Sequence, residues 1–351
     1  MKKISKLRSK ERNFIFFILL VFFFSCVEQK KTEVSKSDCF SLDGEVFKSK
    51  VDLRGKKIGY CTPSLNAPYY QALLLSIKDT VEKNGMVFLS ADGQNDINKQ
   101  IAAVEDLITK GVDALLLNPK DPDALVGVTK LAKKAGIPVF IVDSSINEEA
   151  DYVTTIQSNN LKNGVLAGSW LAKKFGNRKM NIALLSGNVG NPVGRTRKQG
   201  LLQGITDEQL RTHGFIHLEV KTQMYTNWSY AGGLKAMEDV LVAHPDINVV
   251  ITESDVCVLG AIKAIKQVGK TDDILIIAAA DGQKEAIKYI KDTNFYGCTA
   301  MNSPLQIGKK SVHCAVQYIN GKRDFHKKSY TPALLITKEN ASQFYNPDAL
   351  F

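Results

Sequence analysis

A chain of 351 residues exceeds the roughly 100–200 residues of a usual domain and implies about two. Its composition, 44% apolar and 23% charged, suits a globular protein with material for two cores and excludes fibre and low-complexity disorder. The net charge of +10 would suit nucleic-acid binding, but six basic residues (Lys2, Lys3, Lys6, Arg8, Lys10, Arg12) against Glu11 place +5 of it within the first twelve positions. No basic stripe interleaved with aromatics follows, so a nucleic-acid partner is set aside.

The basic start leads into Asn13 to Ser25, thirteen residues without a charge, and then Cys26. That length fits the apolar region of a signal peptide and falls short of the roughly 20 residues of a spanning helix, so residues 1–25 read as an export signal. Cleavage before Cys26 resembles a bacterial lipobox, in which the thiol is acylated and holds the mature protein on a membrane. Phe23 and Phe24 replace the common Leu and small residue, and the alternative is ordinary cleavage nearby with release. Residues 26–54 are polar and read as a tether. Cys39, Cys61, Cys257, Cys298 and Cys314 show no CxxC or Cys/His spacing, so no metal is expected and buried free thiols are the plain reading.

From Lys56 short apolar runs alternate with amphipathic stretches. KIGYCT precedes a helix over 68–84, MVFLSA one over 95–110 and ALLLNP one over 121–135, and PVFIVDSS closes the series. The rhythm then restarts: helix 160–175, NIALLSG, helix 192–206, strand 215–221, helix 229–243, NVVITES, helix 255–268, ILIIAAAD, helix 282–291 and a strand near 295–302. Alternation of this kind predicts an α/β fold of two doubly wound parallel-sheet lobes. Ligands of such sheets bind beyond the carboxyl ends of the strands.

The loops at those ends hold Ser64, Tyr69 and Tyr70; Asp143 and Ser144; Asn188, Asn191, Arg195 and Arg197; Trp228; Ser254 and Asp255; Asp281; and Asn302. Flat aromatic faces suit the C–H faces of a sugar ring, while Asp, Asn and Arg satisfy vicinal hydroxyls that would otherwise lose water uncompensated. The plainer readings are capping for Asp255 and Asp281, core for one of the tyrosines, and a solvent-facing Arg195. Arg197 has the least plain reading, because an arginine near the start of a helix opposes the dipole and needs a compensating partner or task.

The stretches SLNAPYYQALL, DGQNDINKQIAAVEDLITKGVDALLLNP, AGIPVFIVDSS, GRTRKQGL, NWSYAGGLKAMEDVLVAHPDINVVITESD, ADG and NSPLQIG, in that order, resemble the periplasmic sugar-binding family typified by the ribose-binding protein. The resemblance implies ligand contacts at Tyr69, Tyr70, Asp143, Arg197, Trp228, Asp281 and Asn302. Ala67, Ser144, Ser254 and Asn302 depart from the ribose binder's Asn, Arg, Asn and Gln, which argues against ribose itself and leaves a hexose, another pentose, a cyclitol or a signalling furanose. It also implies a three-strand hinge near Ser158, Asn302 and Tyr330, with lobes at 55–157 plus 303–331 and 158–302 plus 332–351. The partners implied are a small sugar or polyol, an ABC permease with its ATPase and a chemoreceptor, with the membrane reached through the lipid on Cys26 and no cofactor.

An enzyme lacks its motifs: GxGxxG after the first strand, GxxxxGK[ST], GxSxG and HExxH are all missing from the sequence. A transcription regulator would begin with a helix-turn-helix. The alternative that shares the cleft is a sensing lipoprotein for a nucleoside, a signalling furanose or another non-sugar solute.

Overall fold

A computed structural model describes residues 45–351; the apolar run, Cys26 and Cys39 lie outside them. The first lobe is built on β1 (Lys57–Thr62), β2 (Val87–Asp92), β3 (Ala114–Leu117), β4 (Val139–Val142), β5 (Thr155–Ser158) and β11 (Lys328–Thr331). These lie in the order β11-β5-β4-β3-β1-β2, all parallel. The second lobe uses β6 (Met180–Ser186), β7 (Leu218–Tyr225), β8 (Val249–Thr252), β9 (Leu275–Ala278), β10 (Tyr296–Ala300) and β12 (Leu335–Thr337). Their order is β12-β10-β9-β8-β6-β7, with only β12 antiparallel to its neighbour. The chain crosses between sheets after β5, after β10 and after β11.

The central strands are apolar throughout because both sheet faces are covered. Alternation along β3 and β4 sends Leu116, Phe140 and Val142 to one face and Leu115, Leu117 and Ile141 to the other, each face closing its own core. β8 and β9 repeat this, with Val250, Ile276 and Ala278 opposing Val249, Ile251 and Ile277. Helices α1 (Pro68–Lys83), α2 (Ile97–Thr109), α3 (Val126–Lys134) and α9 (Pro304–Ile319) belong to the first lobe. The second carries α4 (Asn160–Phe175), α5 (Pro192–His213), α6 (Tyr230–Ala243), α7 (Asp255–Gln267), α8 (Lys284–Asp292) and α10 (Ala341–Phe344).

Several elements differ from expectation, the first being β7, which runs Leu218–Tyr225 rather than 215–221. α5 runs on to His213 rather than stopping near 206, since nothing in TDEQLRTH breaks a helix before Gly214 caps it at φ 77°. α3 begins at Val126 rather than 121, because the Asp121 carboxylate accepts from the amides of Asp123 and Ala124 and holds a turn there. β5, whose TIQS is polar but for Ile156, and the short β11 and β12 carry no apolar run to announce them; pairing with buried neighbours makes them strands.

Part of the expected tether is structured. Asn84, just after α1, accepts from the Phe47 amide and donates to the Glu45 carbonyl, Phe47 stacks on His313, and the Asn320 side chain accepts from the amides of Lys50 and Val51. Cys61, Cys257, Cys298 and Cys314 are buried and unpaired. Among the described residues no helix is long and apolar enough to cross a membrane.

α4 and α5 cross through glycines. A Cβ on Gly200 would lie 2.3 Å from the Leu161 carbonyl oxygen, and one on Gly168 would lie 2.2 Å from that of Leu201. The close approach brings Arg197 of α5 beside Asn160 of α4. Gly200→Ala is therefore expected to lower stability by about 2–3 kcal/mol, read as a reduced urea midpoint with an unchanged slope.

Candidate functional site

The carboxyl ends of both sheets face a single cleft of about 660 Å³. Of the side chains expected there, Ser64, Tyr69, Tyr70, Asp143, Ser144, Arg197, Trp228, Ser254, Asp281 and Asn302 all line it. Asp255 does not. Its fully buried carboxylate accepts from the Gly282 and Gln283 amides and from the hydroxyls of Tyr296 and Thr299. Sequence adjacency to Ser254 suggested a ligand contact, but as the first residue of α7 Asp255 turns into the lobe and braces the loop that carries Asp281.

Asp281 is the centre of the second-lobe wall. Its carboxylate lies 3.1 Å from the Arg197 guanidinium and accepts from Ser254 Oγ at 2.7 Å and Asn302 Nδ2 at 2.9 Å. Arg197, only 4% exposed, also donates to Asn160 Oδ1 and the Glu253 carbonyl. The cation at this unfavourable helix position thus has its partners. Arg195, two residues earlier, is exposed at the mouth.

Asn302 links the lobes. Its Oδ1 accepts from Ser158 Oγ at 2.7 Å and from the Tyr69 hydroxyl at 3.3 Å, while Tyr69 also donates to Asp143 Oδ1. Asn118 donates to the other Asp143 oxygen. Burial pushes the Asp143 carboxyl above the usual range, against the lowering effects of the Tyr69 hydrogen bond and the Arg197 charge; burial and the Asp143 charge push the Tyr69 phenol well up.

Trp228 reaches the cleft through left-handed backbone at Asn227 (φ 53°) and Trp228 (φ 51°). Its ring lies over Gly187, where a Cβ would come within 2.0 Å of it, and 6.0 Å from the Arg197 guanidinium carbon.

Several lining residues were not expected. Asn95 follows β2, while Asn118, Lys120, Asp121 and Asp123 follow β3. The rule that all strand ends converge applied equally to those two loops and would have found them. Gln100, fully buried, holds the second loop by donating to the Asn118 carbonyl and accepting from the Lys120 amide. Phe351 also lines the cleft, with no signal in the sequence pattern.

The family model for the periplasmic binding protein domain matches residues 58–323. The chain belongs to that family. Within the periplasmic binding protein family, it is 36% identical over 266 residues to the ribose import binding protein of Bacillus subtilis, covering 76% of this chain and 82% of that one. It is similar to the crystal structure of an ABC transporter solute-binding protein from Bacillus halodurans with bound myo-inositol (TM-score 0.74, 28% identity, 84% of this chain and 98% of that one). It is also similar to the binding protein of the arabinose ABC transporter from Shewanella bound to L-arabinofuranose (TM-score 0.74, 28% identity, 82% and 93%). This family is made of solute-binding proteins.

The raised Asp143 carboxyl makes the folded protein bind its proton more tightly than the unfolded chain does. Its contribution to ligand-free stability therefore falls as pH rises from the ordinary carboxylate pKa through the raised value. Ligand-free Asp143→Asn is expected to melt about 1–3 °C above the parent protein at pH 8, with the gap narrowing toward pH 4 in calorimetric scans.

Proposed function

We propose that this chain is the solute-binding component of an ABC importer and traps a neutral monosaccharide or related polyol between its two lobes. The observation that carries the reading is the internal charge balance of the deep cleft. Arg197 is matched by Asp281 at 3.1 Å, so the buried cation of the second-lobe wall is already paired and offers oriented donors and acceptors to neutral hydroxyls, while Arg195 lines the exposed mouth and Lys120 the first-lobe side. Asp143, Ser144 and Ser64 face it from the first lobe. Tyr70 and Trp228 supply apolar faces for a ring. The relatives' ligands, ribose, myo-inositol and arabinofuranose, are neutral and polyhydroxylated.

In this reading residues 55–157 with 303–331 and 158–302 with 332–351 act as the two jaws. Ser158, Asn302 and Tyr330 lie on the connections that bend. A ligand touching both jaws favours the closed state by its differential contacts, and the permease with its ATPase reads that state. Export by residues 1–25 and acylation of Cys26 complete the scheme by placing the protein outside the cytoplasmic membrane.

A thermal-shift screen of the mature chain against monosaccharides, cyclitols, nucleosides and amino acids tests the class, because a ligand bound only by the native state must raise the melting temperature. A sugar or cyclitol is expected to do so; a shift from nucleosides or amino acids alone would sink the assignment. Trp228→Ala should then weaken binding of the selected compound by about 1–3 kcal/mol, measured by titration calorimetry, without unfolding the lobe.

A further inference from the structure

The segment after α10 begins inside the second lobe. Ala341 and Phe344 sit in its core, and Tyr345 packs against that core with the Lys291 ammonium 4.4 Å from its ring centroid. The segment then bends: the Asn346 side chain accepts from the Asp348 amide, its carbonyl accepts from the Ala349 amide, and Lys284 at the start of α8 donates to the Ala349 carbonyl at 2.7 Å. Fixed there, the segment carries Phe351 to the cleft, where its ring meets Tyr69 of the first lobe edge to face, with centroids 5.4 Å apart and planes at 82°. Tyr70 packs on Tyr69 in the same manner at 5.8 Å.

We propose that Phe351 is a ligand-site residue, an aromatic wall that the second lobe lays against Tyr69. In this way it selects cyclic solutes with an apolar C–H face over open-chain polyols of equal hydroxyl count. The inference rests on the reading of the cleft as a polyol site. The Tyr69 hydroxyl is occupied by Asp143 and Asn302, so the ring is left to make apolar contact. Phe351 has no polar side-chain atom and extends the surface begun by Tyr69 and Tyr70. Against such a surface a ring presents flat C–H area, whereas an acyclic polyol must first lose its torsional freedom.

The test measures binding of D-ribose, D-galactose, L-arabinose and myo-inositol, with ribitol and galactitol as open-chain counterparts, to the parent protein and to the Phe351→Ala, Phe351→Leu and Trp228→Ala variants. The cyclic compound that binds the parent best is expected to lose about 5- to 20-fold in affinity in Phe351→Ala and to recover part of it in Phe351→Leu. Its preference over the open-chain counterpart should shrink in step. Loss of affinity in Trp228→Ala with none in Phe351→Ala would overturn this inference and leave the site intact. An equal loss for cyclic and open-chain compounds would reduce Phe351 to a brace and overturn it as well. Binding of no cyclic compound by the parent protein, or no effect of either Ala variant, would overturn the polyol reading itself.

Discussion

The cleft depends on the buried contact between Arg197 and Asp281. Two opposite charges taken out of water are stable only when their remaining hydrogen-bonding groups are met, and here the surrounding structure meets them. Asn160 and the Glu253 carbonyl take the guanidinium, while Ser254 and Asn302 take the carboxylate. Those partners come from α4, the loops after β8 and β10, and through Asn302 from the crossing between lobes. One ion pair thus ties together the segments that follow β5, β6, β8, β9 and β10. The glycine crossing of α4 and α5 is the packing device that makes it possible, since only there can Arg197 reach Asn160.

Around this pair the two walls are built on different principles. The second-lobe wall centres on the paired Arg197 and Asp281, with Asp255 behind it accepting two hydrogen bonds from the loop of Asp281 and two from Tyr296 and Thr299 of β10. The first-lobe wall carries Asp143 in a left-handed conformation at φ 65°, desolvated and raised in pKa. A buried carboxylate with only phenol and amide partners is costly to the empty protein, and this is the sort of local cost that binding sites retain. Tyr69, touching Asp143, Asn302 and Phe351 together, is where the two walls meet.

Much of this was legible in the sequence. Apolar runs marked the central strands because both their faces are buried, and the loops following β1, β4, β6, β7, β8, β9 and β10 yielded most of the lining side chains. The errors have physical causes. Asp255 sits beside Ser254 in sequence, but a helix turns successive side chains by about 100°, and one step separates the cleft from the core. β5 has one apolar residue, the buried Ile156, so no apolar run announces it, and pairing with its parallel neighbours β4 and β11 makes it a strand. Phe351 lies past the last strand in a segment without periodicity, and only tertiary contacts through Lys284 and Tyr69 give it a place.

The four buried cysteines among the described residues bear on the chain's redox chemistry. Burial pushes the thiols of Cys61 and Cys257 up to about 12 and raises that of Cys298 well above the ordinary thiol range. At neutral pH such thiols stay protonated, and the thiolate is the form that attacks disulfides and oxidants. Redox inertness here comes from packing: these sulfurs can remain reduced in an oxidising surrounding, and unfolding would be the event that exposes them to it.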